Sequence, residues 1–144
     1  MTQPVVKVET TIDASKSVVW KAMTREDSAL FPGAKVITDW KAGHPIEFTG
    51  EFNGKAFHDY GEIAIVDKEK ELSFSHWTGT RERPENFHVV RYGLTPDGEK
   101  TRVTLSQFNR GPDQEVDDAT KAEFAKNWKM MLAGLKAATE QSTR

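Results

Sequence analysis

Polar and apolar residues alternate through VVKVETTID (Val5 to Asp13), with Val6, Val8 and Ile12 at even positions, which predicts an opening strand. The period then lengthens. In DASKSVVWKAMT, Val18, Val19, Ala22 and Met23 recur at steps of three and four, predicting a helix whose first turn Asp13 or Ser15 can cap. REDSALFPGA predicts a second short helix stopped by Pro32-Gly33. From there the period falls to two, and strands are expected over 35–40, 45–52, 56–67, 71–77, 86–95 and 101–109. Ala42-Gly43, Asn53-Gly54, DKEKE, TGTRERPE and PDGEK separate them, and connections this short imply an antiparallel meander. A long helix closes the pattern, from about Glu115 to Glu140. Its stripe of Phe124, Trp128, Met131 and Leu135, with Leu132 alongside, must lie on the one apolar face of the sheet. The fold class is therefore α+β: a six- to seven-stranded antiparallel sheet wrapped around a long C-terminal helix, with two short helices after the first strand.

Composition narrows the picture. A chain of 144 residues with one pattern throughout reads as a single domain, residues 1–144, with its core over about 6–140. The formal net charge of −2, from 20 basic and 22 acidic side chains, argues against a nucleic-acid partner. No run approaches the ~20 apolar residues of a membrane span, and MTQPVVKVETTIDA lacks the apolar run of a signal peptide. The absence of cysteine excludes disulfides and thiol catalysis and fits a cytoplasmic location.

Four stretches carry a family resemblance: IDASKSVVWKAMT, KELSFSHW, RPENFHVVRYGLTPDGEKTRVTLSQFN and KNWKMMLAGLK. In this order they resemble the helix-grip fold of the START-like (SRPBCC) superfamily. Within it they are most similar to the family named for homology to the activator of the 90-kDa heat-shock protein ATPase. The resemblance covers roughly Val6 to Glu140. One departure is that Phe31 stands where members often carry tryptophan. The resemblance implies a fold and a cavity rather than a reaction. The activating function itself belongs to larger co-chaperones with a second domain.

Strand phase carries the reading to a site. Leu72 and Phe74 place His76 on the inward face, and Val90, Tyr92 and Leu94 place His88 there. Pairing Phe74 with Val90 sets His76 opposite His88, and pairing Phe74 with Ile63 brings Gly61 and then Asp59 alongside. Val103 and Leu105 carry Gln107 inward. The inward face then has an apolar end and a polar end. Asp59, His76 and His88 could bind a metal, although their spacing matches no ligand motif. They could serve acid–base chemistry, although no nucleophile stands beside them. They could orient an otherwise apolar ligand, or simply satisfy one another. His44 and His58 belong at the surface.

The preferred reading is binding or carrying of an apolar or amphipathic small molecule between sheet and helix. Phe31, Phe48, Phe74, Tyr92, Trp128 and Met131 would wall the cavity, and His76, His88 and Gln107 would supply polar contacts. No catalytic residue, metal ligand or cofactor is assigned. The alternatives are a chaperone-linked protein-interaction module, and a cyclase- or hydrolase-like enzyme using the cavity histidines.

Overall fold

The computed structural model describes residues 3–31, 33–112 and 115–142, without the side chains of residues 52 and 142. Its elements run β1 (Val6–Ile12), α1 (Lys16–Thr24), β2 (Ala34–Ile37), β3 (Pro45–Phe52), β4 (Lys55–Asp67), β5 (Glu71–Thr78), β6 (Phe87–Asp97), β7 (Lys100–Arg110) and α2 (Asp118–Ser142). All seven strands join one sheet, in the order β1-β7-β6-β5-β4-β3-β2, and every pairing is antiparallel. The meander from β2 to β7 follows from its tight turns. Asn53 (φ 53) and Gly54 (φ 79) both take the left-handed conformation that a two-residue hairpin needs. Closure of β1 onto β7 brings the first strand beside the last, with Val8 opposite Leu105.

One expected element is not there. Residues 25–31 do not form a second short helix. The Ser28 hydroxyl donates back to the Met23 carbonyl (2.5 Å) and accepts from the Leu30 amide (3.2 Å), offering the backbone a local alternative to helical bonds. Ala29 N–H reaches Ala22 O (2.9 Å) instead of continuing the ladder. Phe31 also precedes a proline, which disfavours helical backbone at that position. The expected stop at Pro32 lies outside the described residues, as do residues 143–144 of the expected frayed end.

α1 starts where Ser15 Oγ accepts from Val18 N (3.3 Å), and it buries Val19, Trp20, Ala22 and Met23. α2 starts later than the pattern suggests, because Asp117 caps it by accepting from Thr120 N (2.8 Å). Hydrogen bonds from the Thr120 side chain and then its backbone hold the Asp117 carboxyl below its usual range. α2 packs chiefly against β1 and also meets α1 and β7. Its most buried line is Trp128, Leu132, Leu135 and Thr139, while Phe124 and Met131 are partly buried beside it. The core between helix and sheet is fully enclosed at Ile12, Met23, Leu30, Phe48, Phe74, Val90 and Leu105.

Candidate functional site

The site begins with strand register. Phe74 pairs with Val90 and with Ile63, and His76 faces His88, as strand phase requires. Between the Tyr60–Trp77 and Ile63–Phe74 pairs, β4 and β5 are joined through Ser75, whose Oγ accepts from Glu62 N (3.0 Å). Gly61 lies at this crossing. A Cβ on it would sit 1.9 Å from the Ser75 carbonyl oxygen, so only glycine lets the strands approach this closely beside His76.

Two polar groups occupy the end of the inward face. In the first, His76 Nε2 meets Asp59 Oδ2 at 2.9 Å, with both side chains about 85% buried. Asp59 sits opposite Phe48 on the β3–β4 ladder, so the carboxylate stands at the border of the aromatic core. With the carboxylate accepting from Nε2, the neutral ring has a lone pair on Nδ1. That Nδ1 is buried and has no hydrogen-bond partner among the described residues. The second group is a chain of bonds running from helix to sheet. Trp128 Nε1–H donates to Gln107 Oε1 (2.6 Å), which orients the amide because indole can only donate. Gln107 Nε2 donates to Asn109 Oδ1 (2.9 Å), and His88 Nδ1 lies 2.9 Å from the same oxygen and 3.1 Å from Gln107 Nε2. Because that oxygen only accepts, His88 carries its proton on Nδ1. Burial, and more weakly the neighbouring His76, lowers the His88 pKa, while the bond to Asn109 opposes this.

Beside these groups lies a connected set of rings. Phe31 stacks on Phe48 at 4.4 Å with 15° between the planes. It also meets Phe74 (6.3 Å), His76 (5.9 Å) and Trp128 (6.1 Å) at steep angles. Phe48 reaches Phe74 and His76, Phe74 reaches Tyr92, and His76 lies parallel to His88 at 6.3 Å. Burial pushes the Tyr92 hydroxyl pKa up. Phe31, Phe48, Phe74, His76, His88, Tyr92, Gln107 and Trp128 are thus brought together by direct contacts. Met131 packs at the edge of the same core. Phe31 stands inside the ring cluster rather than at a rim.

A cleft of about 310 Å³ opens at the polar end, lined by His76, Trp77, Pro84, Phe87, His88 and Asn109 among others. Three participants were not anticipated. Asn109 was legible, since it follows Gln107 by two residues and shares its face. Phe124, whose ring meets His88 at 5.8 Å, was read only as core. Phe87 and the TGTRERPE loop form the outer lip, where Arg83 lies over the Phe87 ring (4.8 Å). His44 and His58 are exposed and paired with Asp39 and Glu47, at 2.6 Å each. Among the described residues, no group of three or more His, Asp or Glu side chains is arranged to hold a metal ion. Among the described residues, no helix is long and apolar enough to cross a membrane.

Comparison with known proteins agrees with this fold. The family described as "Activator of Hsp90 ATPase homolog 1-like protein" matches residues 13–140. No match was found among curated proteins. The solution structure of ChR145 from Cytophaga hutchinsonii is similar over 99% of this chain and 98% of that one, with 30% identity and a TM-score of 0.75. Ara h 8.0201 shares the fold at 12% identity, with a TM-score of 0.72 over 94% of this chain and 96% of its own. DynU16, a putative protein of the dynemicin biosynthetic locus, shares it at 19% identity, with a TM-score of 0.74 over 95% of this chain and 47% of its own.

Proposed function

This chain belongs to the activator of Hsp90 ATPase homolog 1-like family, within the START-like superfamily, and from that premise we propose that it binds or carries an apolar or amphipathic small molecule in the cytoplasm. The ligand lies between the sheet and α2, among Phe31, Phe48, Phe74, Tyr92, Trp128 and Met131. His76, His88 and Gln107 supply its polar contacts. The observation that carries this reading is the buried, unpartnered His76 Nδ1 at the edge of an aromatic cluster. Buried polar atoms are almost always hydrogen-bonded, so an exception calls for a partner from outside the described residues, which a bound molecule would supply. The test is an amide NMR titration of labelled protein against lipophiles, flavonoids and acyl compounds. Saturable shifts are expected on residues 124–135 and on the inward positions of 72–76 and 88–94, and Trp128→Ala and Met131→Ala should alter the affinity. An unchanged spectrum from a folded protein would sink the reading.

A second reading, a protein-interaction module of the kind the family name suggests, is favoured by the outer face of α2. There Met130 is 61% exposed in a depression with Ala122, Ala125 and Ala133, edged by Lys126 and Lys129. It predicts that Met130→Glu abolishes capture of a chaperone ATPase while cavity substitutions leave it intact.

A further inference from the structure

Phe31 is held differently from the rings around it. Phe48 and Phe74 are on strands paired along both edges. Phe31 sits in an irregular segment whose backbone bonds are mostly local, Ala29 N to Ala22 O, Leu30 N to Ser28 Oγ and Ala34 N to Phe31 O, with one long 3.5 Å bond from the sheet, Tyr92 Oη–H to Leu30 O. Gly33 follows in the left-handed conformation (φ 83), with open space where a Cβ would be. Segments tied by few long-range bonds open at lower free energy than the strands beneath them. The Phe31 ring is nonetheless 6% exposed, and it meets four rings: Phe48, Phe74, His76 and Trp128.

The chemistry of the surroundings is wrong for phenylalanine in one respect. Among the described residues His76 has no hydrogen-bond partner at Nδ1; of the rings it meets, Phe31 and Phe48 have no polar hydrogen to give, and the parallel His88 ring directs its Nδ1–H to Asn109. Asp59 accepts from the other nitrogen, so in the neutral ring Nδ1 is the side of the imidazole that accepts. A planar ring in the place of Phe31, carrying one O–H or N–H on the edge facing His76, would keep the stack on Phe48 and complete the pair.

We propose that Phe31 occupies the seat of a planar aromatic ligand that bears a hydrogen-bond donor, a phenol in its simplest form, and that His76 Nδ1 is the acceptor that selects it. This deepens the cavity-binding reading and rests on it. Ligand entry displaces Phe31, so the free protein binds with an affinity reduced by the fraction of molecules in which the seat is vacant.

The probes are p-cresol and toluene, which have nearly the same shape but differ in one hydroxyl. Affinities are measured by NMR titration on the wild-type protein, Phe31→Ala, and His76→Leu. Phe31→Leu and Asp59→Asn/His76→Leu stand in where circular dichroism shows a first-choice variant unfolded. Phe31→Ala is expected to bind p-cresol about tenfold more tightly than the wild type does. In proteins that keep His76, p-cresol is expected to bind more tightly than toluene despite being the less hydrophobic. The order should reverse in His76→Leu. Equal p-cresol affinity with and without Phe31 would overturn the displacement. Toluene preferred in every variant would overturn the donor selection while leaving the cavity standing. If neither probe binds any folded variant, both this proposal and the cavity reading fall.

Discussion

Replacing Gln107 with leucine tests whether the bonds between α2 and the sheet hold the site together. Gln107 is 1% exposed and links Trp128 to Asn109, whose side-chain oxygen also accepts from His88. Leucine keeps most of the volume, so the cost falls on the partners left behind. Asn109 Oδ1 keeps His88, but the Trp128 N–H loses a 2.6 Å bond inside a residue that is 8% exposed. An orphaned buried donor costs about 1–3 kcal/mol, and the lost Gln107–Asn109 bond adds about 1. A total near 3 kcal/mol corresponds to a melting temperature roughly 6–12 °C lower for a domain of this size. Urea denaturation of Gln107→Leu, Trp128→Phe and the double variant separates the pair. Phenylalanine has no N–H to strand, so leucine at 107 should cost about 1–2 kcal/mol less in the Trp128→Phe background. A Gln107→Leu protein within about 0.5 kcal/mol of wild type, or strictly additive substitutions, would refute the argument that this bond ties helix to sheet.

Three further outcomes follow from the same geometry. Gly61→Ala should destabilise by about 3 kcal/mol or prevent folding, because the clash at Ser75 is with backbone and no side chain can swing aside; thermal unfolding reads it. Acidification should cost stability through His88. Its folded pKa lies below the usual value near 6.5, so the unfolded chain binds more protons between the two values, and stability falls as pH drops through that window. Denaturation at a series of pH values should show a shallower slope for His88→Gln, by at most about 1.4 kcal/mol per pH unit for one proton. Thr101→Val should cost about 1 kcal/mol in urea denaturation, since the buried hydroxyl donates to Ala14 O at 2.7 Å and ties β7 to the turn before α1.

Most of the sheet was legible because a one-residue slip exposes a whole apolar set, and that penalty forces register. Phe74 opposite Val90, His76 opposite His88 and Gln107 turned inward all follow from counting by two. The segment after α1 was not legible for the opposite reason. Ser28, Ala29, Leu30 and Phe31 pack through bonds to Met23 and Ala22 that no periodicity encodes. Phe31 joins the expected cavity wall with no phase behind it, since a residue outside regular structure has none from which to read its direction. On α2 the stripe was read a little off its axis. Leu132 and Thr139 are more deeply buried than Phe124 and Met131, because the helix is seated on β1 and α1 rather than centred over the sheet. The tautomer of His88 and the orphan nitrogen of His76 depend on angles between side chains, which a linear pattern does not hold.

These two levels of legibility bear on what the pocket can discriminate. Exchanging Phe31 for a ligand ring of similar size leaves the buried apolar area nearly unchanged. The ~1.5–3 kcal/mol that burying a phenylalanine contributes is given up on one side and regained on the other. Apolar area alone then gives a free ligand little advantage over a side chain already tethered in place, because the ligand also loses translational freedom on binding. What Phe31 cannot supply is the hydrogen His76 Nδ1 lacks. Satisfying that nitrogen is worth about 1–3 kcal/mol, or roughly tenfold in affinity for each 1.4 kcal/mol. On the proposal of a phenol-like ligand, selection rests on a single polar contact backed by Asp59, and the aromatic walls would admit many rings without choosing among them.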